Sequence, residues 1–262
     1  MKALAARRRH PLALVVLIAL GLLVTGAAYA TFAPRPADAS TTASGDADRG
    51  RELFLANCST CHGTQAEGTR NAPTLIGVGA AAVDFQVGTG RMPLEQTAPQ
   101  APPKPVEFTD SDVADLSAWV ASLAPGPAIP PDEFLEVSDE DERIAEGGEL
   151  FRTNCAMCHN VVGAGGALTR GKYAPALDGV EPVHTYEAMV TGPQSMPVFN
   201  DANISPEQKQ NIISYLDYIE NEPAPGGLSL GSIGPVSEGL VAWLVGLGAL
   251  IACAVWLGAK SS

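Results

Sequence analysis

The stretch Arg51-Glu-Leu-Phe-Leu-Ala-Asn-Cys-Ser-Thr-Cys-His62 decides the fold, because it recurs as Gly148-Glu-Leu-Phe-Arg-Thr-Asn-Cys-Ala-Met-Cys-His159. Two further pairs of similar segments follow these stretches, in the same order in both copies. They are Ala72-Pro-Thr-Leu-Ile-Gly77 with Ala174-Pro-Ala-Leu-Asp-Gly179, and Thr89-Gly-Arg-Met-Pro93 with Thr191-Gly-Pro-Gln-Ser-Met-Pro197. An internal repeat of this extent predicts one structural unit that is present twice in tandem.

Each copy is predicted to end in a helix. Thr109 and Asp112 form a capping-box pattern in the first copy, and Ser205 and Gln208 flank Pro206 in the second. Apolar residues follow at helical spacing: Val113, Leu116, Trp119, Val120 and Leu123 in the first copy, and Ile212, Ile213, Leu216 and Ile219 in the second. No convincing alternating strand pattern occurs in this region, so the predicted fold class is all-α.

Both copies contain a C-x-x-C-H motif, which attaches c-type haem. Two thiols within one turn can form thioethers to the two vinyl groups at one edge of a porphyrin. The histidine that follows is then held beneath the iron as its proximal ligand. The residues concerned are Cys58, Cys61 and His62 in the first copy, and Cys155, Cys158 and His159 in the second. Two motifs inside a long repeat predict two covalently bound haems c.

Paired cysteines have other uses. Two C-x-x-C pairs could form a tetrahedral Cys₄ zinc site, and a single pair could act as a thioredoxin-like dithiol. Zinc does not require a histidine after each second cysteine, and a dithiol pair would need a βαβ setting that is not predicted here. The fifth cysteine, Cys253, lies in an apolar run and is interpreted as a packing residue.

The sixth iron ligand is predicted to be a methionine in each copy. Met92 and Met196 occupy equivalent repeat positions, each before a proline and after Thr-Gly. A thioether ligand favours Fe(II), raises the reduction potential and closes the iron to substrates. The alternative is that they fill the core. Met189 and His184 compete in the second copy but have no counterpart in the first, so we interpret them as a helix-face residue and a surface histidine.

Two smaller features repeat beside the motifs. Pro73 and Pro175 could supply the carbonyl that holds the other N–H of the proximal imidazole, or could simply form a turn at the haem edge. Glycine and phenylalanine precede each motif at matching positions, and an aromatic residue lies on each terminal helix. This pattern predicts a tight crossing of two helices, and its residues are Gly50, Phe54 and Trp119 in the first copy, and Gly147, Phe151 and Tyr215 in the second.

The two ends of the chain carry membrane signals. Basic residues precede an apolar stretch from Pro11 to Ala30 that closes with Ala28-Tyr29-Ala30, as expected of a cleaved signal peptide, although an uncleaved anchor is also consistent with its length. The segment from Leu240 to Leu257 has no charge and is flanked by Lys260, which predicts a transmembrane helix. The positive-inside rule places both basic flanks in the cytoplasm and everything between them outside.

Composition and linkers complete the predicted organisation. The 262 residues carry a formal charge of −13, which disfavours nucleic acid as a partner. An acidic run from Asp132 to Glu142 follows a Pro-rich stretch; it could steer a basic partner or simply be solvated. The predicted boundaries are 1–31 for the signal peptide or anchor, 32–47 for a linker, 48–124 for the first haem domain, 125–143 for a Pro-rich and acidic linker, 144–222 for the second haem domain, 223–235 for a Gly-rich linker, and 236–259 for the transmembrane helix.

The two units resemble class I cytochromes c, and the fuller pattern resembles one family within that class. The residues that carry this second resemblance are Pro73-Thr-Leu-Ile-Gly-Val-Gly79, Phe85-Gln-Val-x-Thr-Gly-Arg-Met-Pro93, Gly165-Gly-Ala-Leu168, Gly171-Lys-Tyr-Ala-Pro175, Thr191-Gly-Pro-Gln194 and Gly234-Pro-x-x-Glu-Gly239. They are similar to the dihaem cytochrome c subunit of the actinobacterial menaquinol–cytochrome c reductase, the cytochrome bcc complex.

The resemblance implies a subunit of a quinol-oxidising translocase in the plasma membrane, with a cytochrome b subunit and a Rieske iron–sulfur subunit as partners. It implies that the N-terminal haem accepts electrons from the Rieske protein and that the second haem passes them to a haem–copper cytochrome c oxidase. This chain would be an electron carrier with no catalytic residues and would itself bind no quinol.

Other functions are compatible with the motifs. A membrane-anchored dihaem subunit of a periplasmic dehydrogenase fits the residues equally well, because a carrier's partners leave little trace in its sequence. A dihaem peroxidase would need an open sixth position, which both Met-Pro motifs disfavour. A redox sensor is disfavoured because only two serines follow Lys260.

Overall fold

The structure is a computed structural model that describes residues 11–32, 45–96, 98–221 and 235–260. The chain divides into two compact units, residues 1–40 and residues 41–262. The first contains helix α1 (Pro11–Phe32), an apolar helix whose described side chains are exposed. The predicted basic leader, and most of the linkers predicted at 32–47 and 223–235, lie outside the described residues.

The first repeat copy is helical, as predicted. Its helices are α2 (Ala47–Asn57), α3 (Ser59–His62), α4 (Ala80–Gly88) and α5 (Asp110–Leu123). The predicted capping box is present at the start of α5: the Thr109 side chain accepts a hydrogen bond from the Asp112 backbone, and the Asp112 carboxylate accepts one from the Thr109 backbone. The predicted apolar face is buried around Phe54, with Val113, Leu116, Trp119 and Val120 in the core.

The second copy repeats this plan. Its elements are a 3₁₀ turn (Asp132–Phe134), α6 (Asp141–Asn154), α7 (Ala156–His159), β1 (Gly166–Ala167), a 3₁₀ turn (Thr169–Gly171), β2 (Tyr173–Ala174), α8 (Pro182–Thr191) and α9 (Pro206–Asn221). Ser205 and Gln208 cap α9 reciprocally, as predicted: the Ser205 hydroxyl accepts from the Gln208 N–H, and the Gln208 amide oxygen accepts from the Ser205 N–H.

A small antiparallel β-ladder in the second copy was not predicted. Gly166 pairs with Ala174, and Ala167 pairs with Tyr173. Each strand has two residues, which is too short for an alternating pattern to appear in the sequence. The ladder leaves the overall class all-α.

The predicted crossing of two helices is confirmed in both copies. A Cβ atom added at Gly50 would lie 1.9 Å from the carbonyl oxygen of Asp115, and one added at Gly147 would lie 1.8 Å from that of Asn211. The aromatic pairs lie beside these contacts, with ring centroids 4.3 Å apart for Phe54 and Trp119, and 5.6 Å apart for Phe151 and Tyr215. The helix that leads into each cysteine motif is therefore held directly against the backbone of the terminal helix.

The two copies contact one another. Helix α4 of the first packs against α8 of the second. The side chain of Gln100, in the Pro-rich loop of the first copy, donates to the Tyr173 carbonyl and accepts from the Tyr173 N–H, both at 2.9 Å. Gln100 thus pairs with β2 much as a neighbouring strand would.

The C-terminal segment is a continuous helix, with α10 (Pro235–Ala242) and α11 (Gly248–Lys260) joined by a π-helical turn at Trp243–Leu247. Within it, the 22 residues Glu238–Ala259 are long and apolar enough to cross a membrane, and none of them is buried against the protein. This is the predicted transmembrane segment. Among the described residues, the shorter apolar stretch Leu14–Tyr29 of α1 does not reach the same length.

Candidate functional site

The backbone places the C-x-x-C-H residues identically in the two copies. Helix α2 ends at Asn57. The backbone N–H groups of Cys61 and His62 both donate hydrogen bonds to the carbonyl oxygen of Cys58, at 3.1 and 3.0 Å. In the second copy, the N–H groups of Cys158 and His159 donate to the carbonyl oxygen of Cys155 in the same way, at 3.1 and 2.9 Å. Each pair of thiols therefore lies on one helical turn with the histidine directly after it.

The orientation of each histidine is fixed by a proline carbonyl, as one of the two sequence interpretations predicted. The Nδ1–H of His62 donates to the carbonyl oxygen of Pro73 at 2.8 Å, and that of His159 donates to Pro175 at 2.9 Å. A carbonyl can only accept, so the proton lies on Nδ1 and leaves the Nε2 lone pair available to a metal. Burial lowers the pKa of His159, which further favours the neutral imidazole that binds metals.

The second copy contains a cavity of about 350 Å³ at its motif. Cys155, Cys158, His159 and Met196 all line it, with apolar side chains from α6, α8 and α9 around them. Met196 and Cys155 pack against the same hydrophobic cluster around Phe151. Two thiols, an imidazole Nε2 and a thioether around an apolar cavity are the donor set that a covalently attached haem c requires, so the residues fit that group.

In the first copy, the sequence-predicted residues are also brought together. Cys58 and Met92 pack against one hydrophobic cluster, the one built around Phe54. Burial, with the second cysteine of each pair nearby, raises the pKa of Cys58 and Cys155 to about 11. Among the described residues the four motif cysteines do not converge into one cluster of metal-ligand atoms, and this argues against a shared Cys₄ zinc site.

Comparisons with known proteins agree with this geometry. A family model described as "Cytochrome c" matches residues 47–124, and one described as "Cytochrome C oxidase, cbb3-type, subunit III" matches residues 142–216. Three curated relatives are each named "Cytochrome bc1 complex cytochrome c subunit". The relative from Corynebacterium efficiens is 43% identical over 81% of this chain and 76% of its own. That from Corynebacterium diphtheriae is 38% identical over 99% of both chains, and that from Mycobacterium tuberculosis is 40% identical over 97% of this chain and 92% of its own.

The chain belongs to the family of cytochrome c subunits of the bc1 complex. Its two cytochrome c domains imply covalently bound haem c. Among solved structures, a reducing HAO-like protein complex of Kuenenia stuttgartiensis matches at 14% identity and a TM-score of 0.36 over 66% of this chain and 96% of that one. Reduced cytochrome c4 from Pseudomonas stutzeri matches at 21% identity and a TM-score of 0.25 over 66% and 98%.

Of the two competitors for the iron in this cytochrome c subunit, Met189 is buried in the core of the second domain and also lines its cavity. Its carbonyl accepts a hydrogen bond from Phe199. Our interpretation of His184 as a surface residue was wrong. The side chain is only 16% exposed, because the first domain covers it, and it faces Asp84 of that domain.

Three residues of the first domain contribute to the wall of the cavity in the second domain, and no sequence pattern predicted this role for them. They are Phe85, Arg91 and Gln100. The Arg91 guanidinium lies 4.6 Å from the centroid of the Phe85 ring, a cation–π contact. Burial lowers the pKa of Arg91 from its usual value. Arg91 directly precedes Met92, so one short segment connects the candidate ligand of the first site to the wall of the second.

The second domain also contains a buried carboxyl group that was not predicted from the sequence. Glu187 on α8 is fully buried beside Asp84 of α4, and burial with this second acid raises the pKa of Glu187 to about 10. No apolar or polar periodicity distinguishes Glu187 from an exposed helical acid. Its environment is created only when the two domains meet.

Proposed function

We propose that this chain is the dihaem electron relay of a menaquinol-oxidising bc1-type complex in the plasma membrane. Supporting the proposal is the repetition, in both domains, of a C-x-x-C-H turn whose histidine is held by a proline carbonyl. Membership of the family of bc1 complex cytochrome c subunits supports the assignment to such a complex. The proposed boundaries of the haem domains are 48–124 and 144–222, close to the segments that match cytochrome c families.

The proposed haem-binding residues follow from their placement. Cys58 and Cys61, and Cys155 and Cys158, would attach one haem c per domain through thioethers. The proximal ligands would be His62 and His159, and the distal ligands Met92 and Met196. Haem c bound at each site supplies a one-electron carrier whose potential is raised by methionine ligation.

The chain's own residues hold and shield these sites. The carbonyls of Pro73 and Pro175 fix the tautomer of each proximal histidine, and the tight helix crossings at Gly50 and Gly147 fix the helix that leads into each cysteine pair. A methionine in the sixth position would exclude water and peroxide from the iron. Both sites are therefore suited to electron transfer rather than to catalysis, and no residue of this chain is proposed to be catalytic.

The proposed partners are the Rieske iron–sulfur subunit, the cytochrome b subunit and a haem–copper cytochrome c oxidase. The first domain would accept electrons from the Rieske protein and the second would deliver them to the oxidase. The helix at Glu238–Ala259 would anchor the chain, with both haem domains on the extracytoplasmic side.

The experiment is a haem count combined with a reduction assay on purified complex. Pyridine haemochrome spectra should give two covalent haems c per chain, and menaquinol should reduce both only when the Rieske subunit is present. Cys58→Ser/Cys61→Ser and Cys155→Ser/Cys158→Ser are matched variants, each expected to retain one covalent haem. A single haem in the wild type, a high-spin site that binds peroxide, or reduction that does not need the Rieske subunit would contradict the proposal. Reduction without the Rieske subunit would favour a dehydrogenase subunit instead.

A further inference from the structure

Three side chains with metal-binding atoms meet where the two haem domains touch. Asp84 lies on α4 of the first domain, and His184 and Glu187 lie one turn apart on α8 of the second. One ligand atom from each residue lies within 4.8 Å of the other two. Nε2 of His184 is 3.9 Å from a carboxylate oxygen of Asp84.

Glu187 is the anomalous member of this group. Its side chain is fully buried, and neither carboxylate oxygen accepts a hydrogen bond from a donor among the described residues. Native proteins rarely leave a buried carboxylate without donors, because its desolvation costs several kcal/mol unless a counter-charge or hydrogen bonds offset it. The group that Glu187 faces is a second carboxylate, that of Asp84, which increases the need for positive charge.

Among the residues that the structure describes, neither Asp84 nor Glu187 forms an ion pair with a lysine or an arginine. The groups that act on Asp84 are the acids Asp110, Glu181 and Glu187, together with His184, which carries charge only when it is protonated. A proton shared between the fully buried Glu187 and the half-buried Asp84 would neutralise one charge. It would leave the imidazole of His184 at 3.9 Å, beyond hydrogen-bonding distance.

We propose that Asp84, His184 and Glu187 form a binding site for a divalent cation of the zinc type, which joins the two haem domains. Zinc binds histidine nitrogen and carboxylate oxygen at about 2.0–2.2 Å, so two ligands of a tetrahedral site are about 3.4 Å apart. The separation of 3.9 Å between His184 and Asp84 therefore needs to close by about half an ångström, which is within the reach of side-chain rotation.

A second carboxylate lies on the far side of the imidazole. Glu181 is 3.9 Å from Nδ1 of His184 and is mostly exposed. A metal-binding histidine commonly has such a partner for its other nitrogen, which fixes the ring and strengthens it as a ligand. Three protein ligands leave the fourth position of the cation to water. The site uses none of the proposed haem ligands, although His184 also lines the cavity of the second domain. The proposal does not depend on the electron relay.

The test uses the full-length dihaem chain in detergent, freed of loosely bound metal with a chelator and then titrated with Zn²⁺. The wild type is expected to bind one zinc ion per chain at a high-affinity site, measured by calorimetry and by metal analysis against haem iron. His184→Ala and Glu187→Gln are each expected to weaken this binding at least 100-fold. Asp178→Asn removes the same charge from an exposed position of the second domain and should leave it unchanged.

The wild-type titration decides the proposal even where a variant folds poorly. No zinc uptake by the chelated wild type above one-tenth equivalent would overturn it. So would equal zinc affinity in the wild type and His184→Ala, since binding would then lie elsewhere on the acidic surface. Haem content and visible spectra of each variant, measured alongside, confirm that the haem sites remain intact during the comparison.

Discussion

Replacement of Gly147 by alanine should weaken the second haem domain more than any ordinary surface change. A Cβ atom at this position would lie 1.8 Å from the carbonyl oxygen of Asn211, where ordinary contact begins at 3.4 Å, so α6 and α9 must separate by about 1.6 Å (3.4 − 1.8 Å). Because the obstructing atom belongs to the backbone, no side-chain rotation relieves the clash. Overpacking of this kind lowers the free energy of unfolding by about 3 kcal/mol, and the better helix propensity of alanine offsets about 1 kcal/mol of that loss.

The expected net loss is about 2 kcal/mol, which corresponds to a decrease of roughly 10 °C in the Tm of a domain of this size. Thermal unfolding of the full-length holoprotein, followed by far-UV circular dichroism, measures it. Gly148→Ala is the matched control in the same helix. Its added Cβ would meet the Tyr215 ring at 3.0 Å and the end of the Arg152 side chain at 3.1 Å, both of which can move. If Gly147→Ala unfolds at the same temperature as Gly148→Ala or above it, the helix crossing does not limit stability and the reasoning fails.

Three further changes test other parts of the structure. Thr109→Ala should cost about 1 kcal/mol at neutral pH, measured by urea unfolding, because it removes the cap of α5. Hydrogen bonds from Thr109 lower the pKa of Asp112. The part of the cap that involves the Asp112 carboxylate is therefore present above the ordinary aspartate pKa of about 3.9 and is lost as the pH falls further; a deficit that is entirely unchanged at lower pH would contradict the contribution of the carboxylate. Gln100→Ala should accelerate hydrogen exchange at the amide of Tyr173, since that amide loses its acceptor; unchanged exchange would show that the interdomain contact is not maintained in solution. Met196→His should lower the reduction potential of one haem only, measured by redox titration, because a thioether favours Fe(II) more than imidazole does; unchanged potentials would remove Met196 as a ligand.

The structural features that occur in both repeat copies could be predicted from the sequence. The capping residues Thr109 and Ser205, the close approach at Gly50 and Gly147, and the proline carbonyls all depend on residues near one another in a copy, and each copy supports the interpretation of the other. Local spacing determines such contacts, so a sequence pattern suffices to find them.

Contacts between the copies were not predictable. Asp84, His184 and Glu187 are unremarkable on their own helices, and His184 was wrongly interpreted as a surface residue. Their environment arises from the packing of α4 against α8, which depends on the shapes of two finished domains rather than on any spacing along the chain. The strands β1 and β2 were not predicted for a different reason. Each has two residues, which is too few to show the alternation of apolar and polar residues that indicates a strand.

The wall that Phe85, Arg91 and Gln100 contribute to the second cavity makes the two halves of this duplicated chain unequal. The two domains repeat one plan, yet side chains of the first domain form part of the wall of the cavity inside the second. Exchanging the halves, or excising residues 144–222 as a module, would open an apolar cavity to solvent. Substitutions at these three positions of the first domain are therefore expected to alter the environment of the haem site in the second.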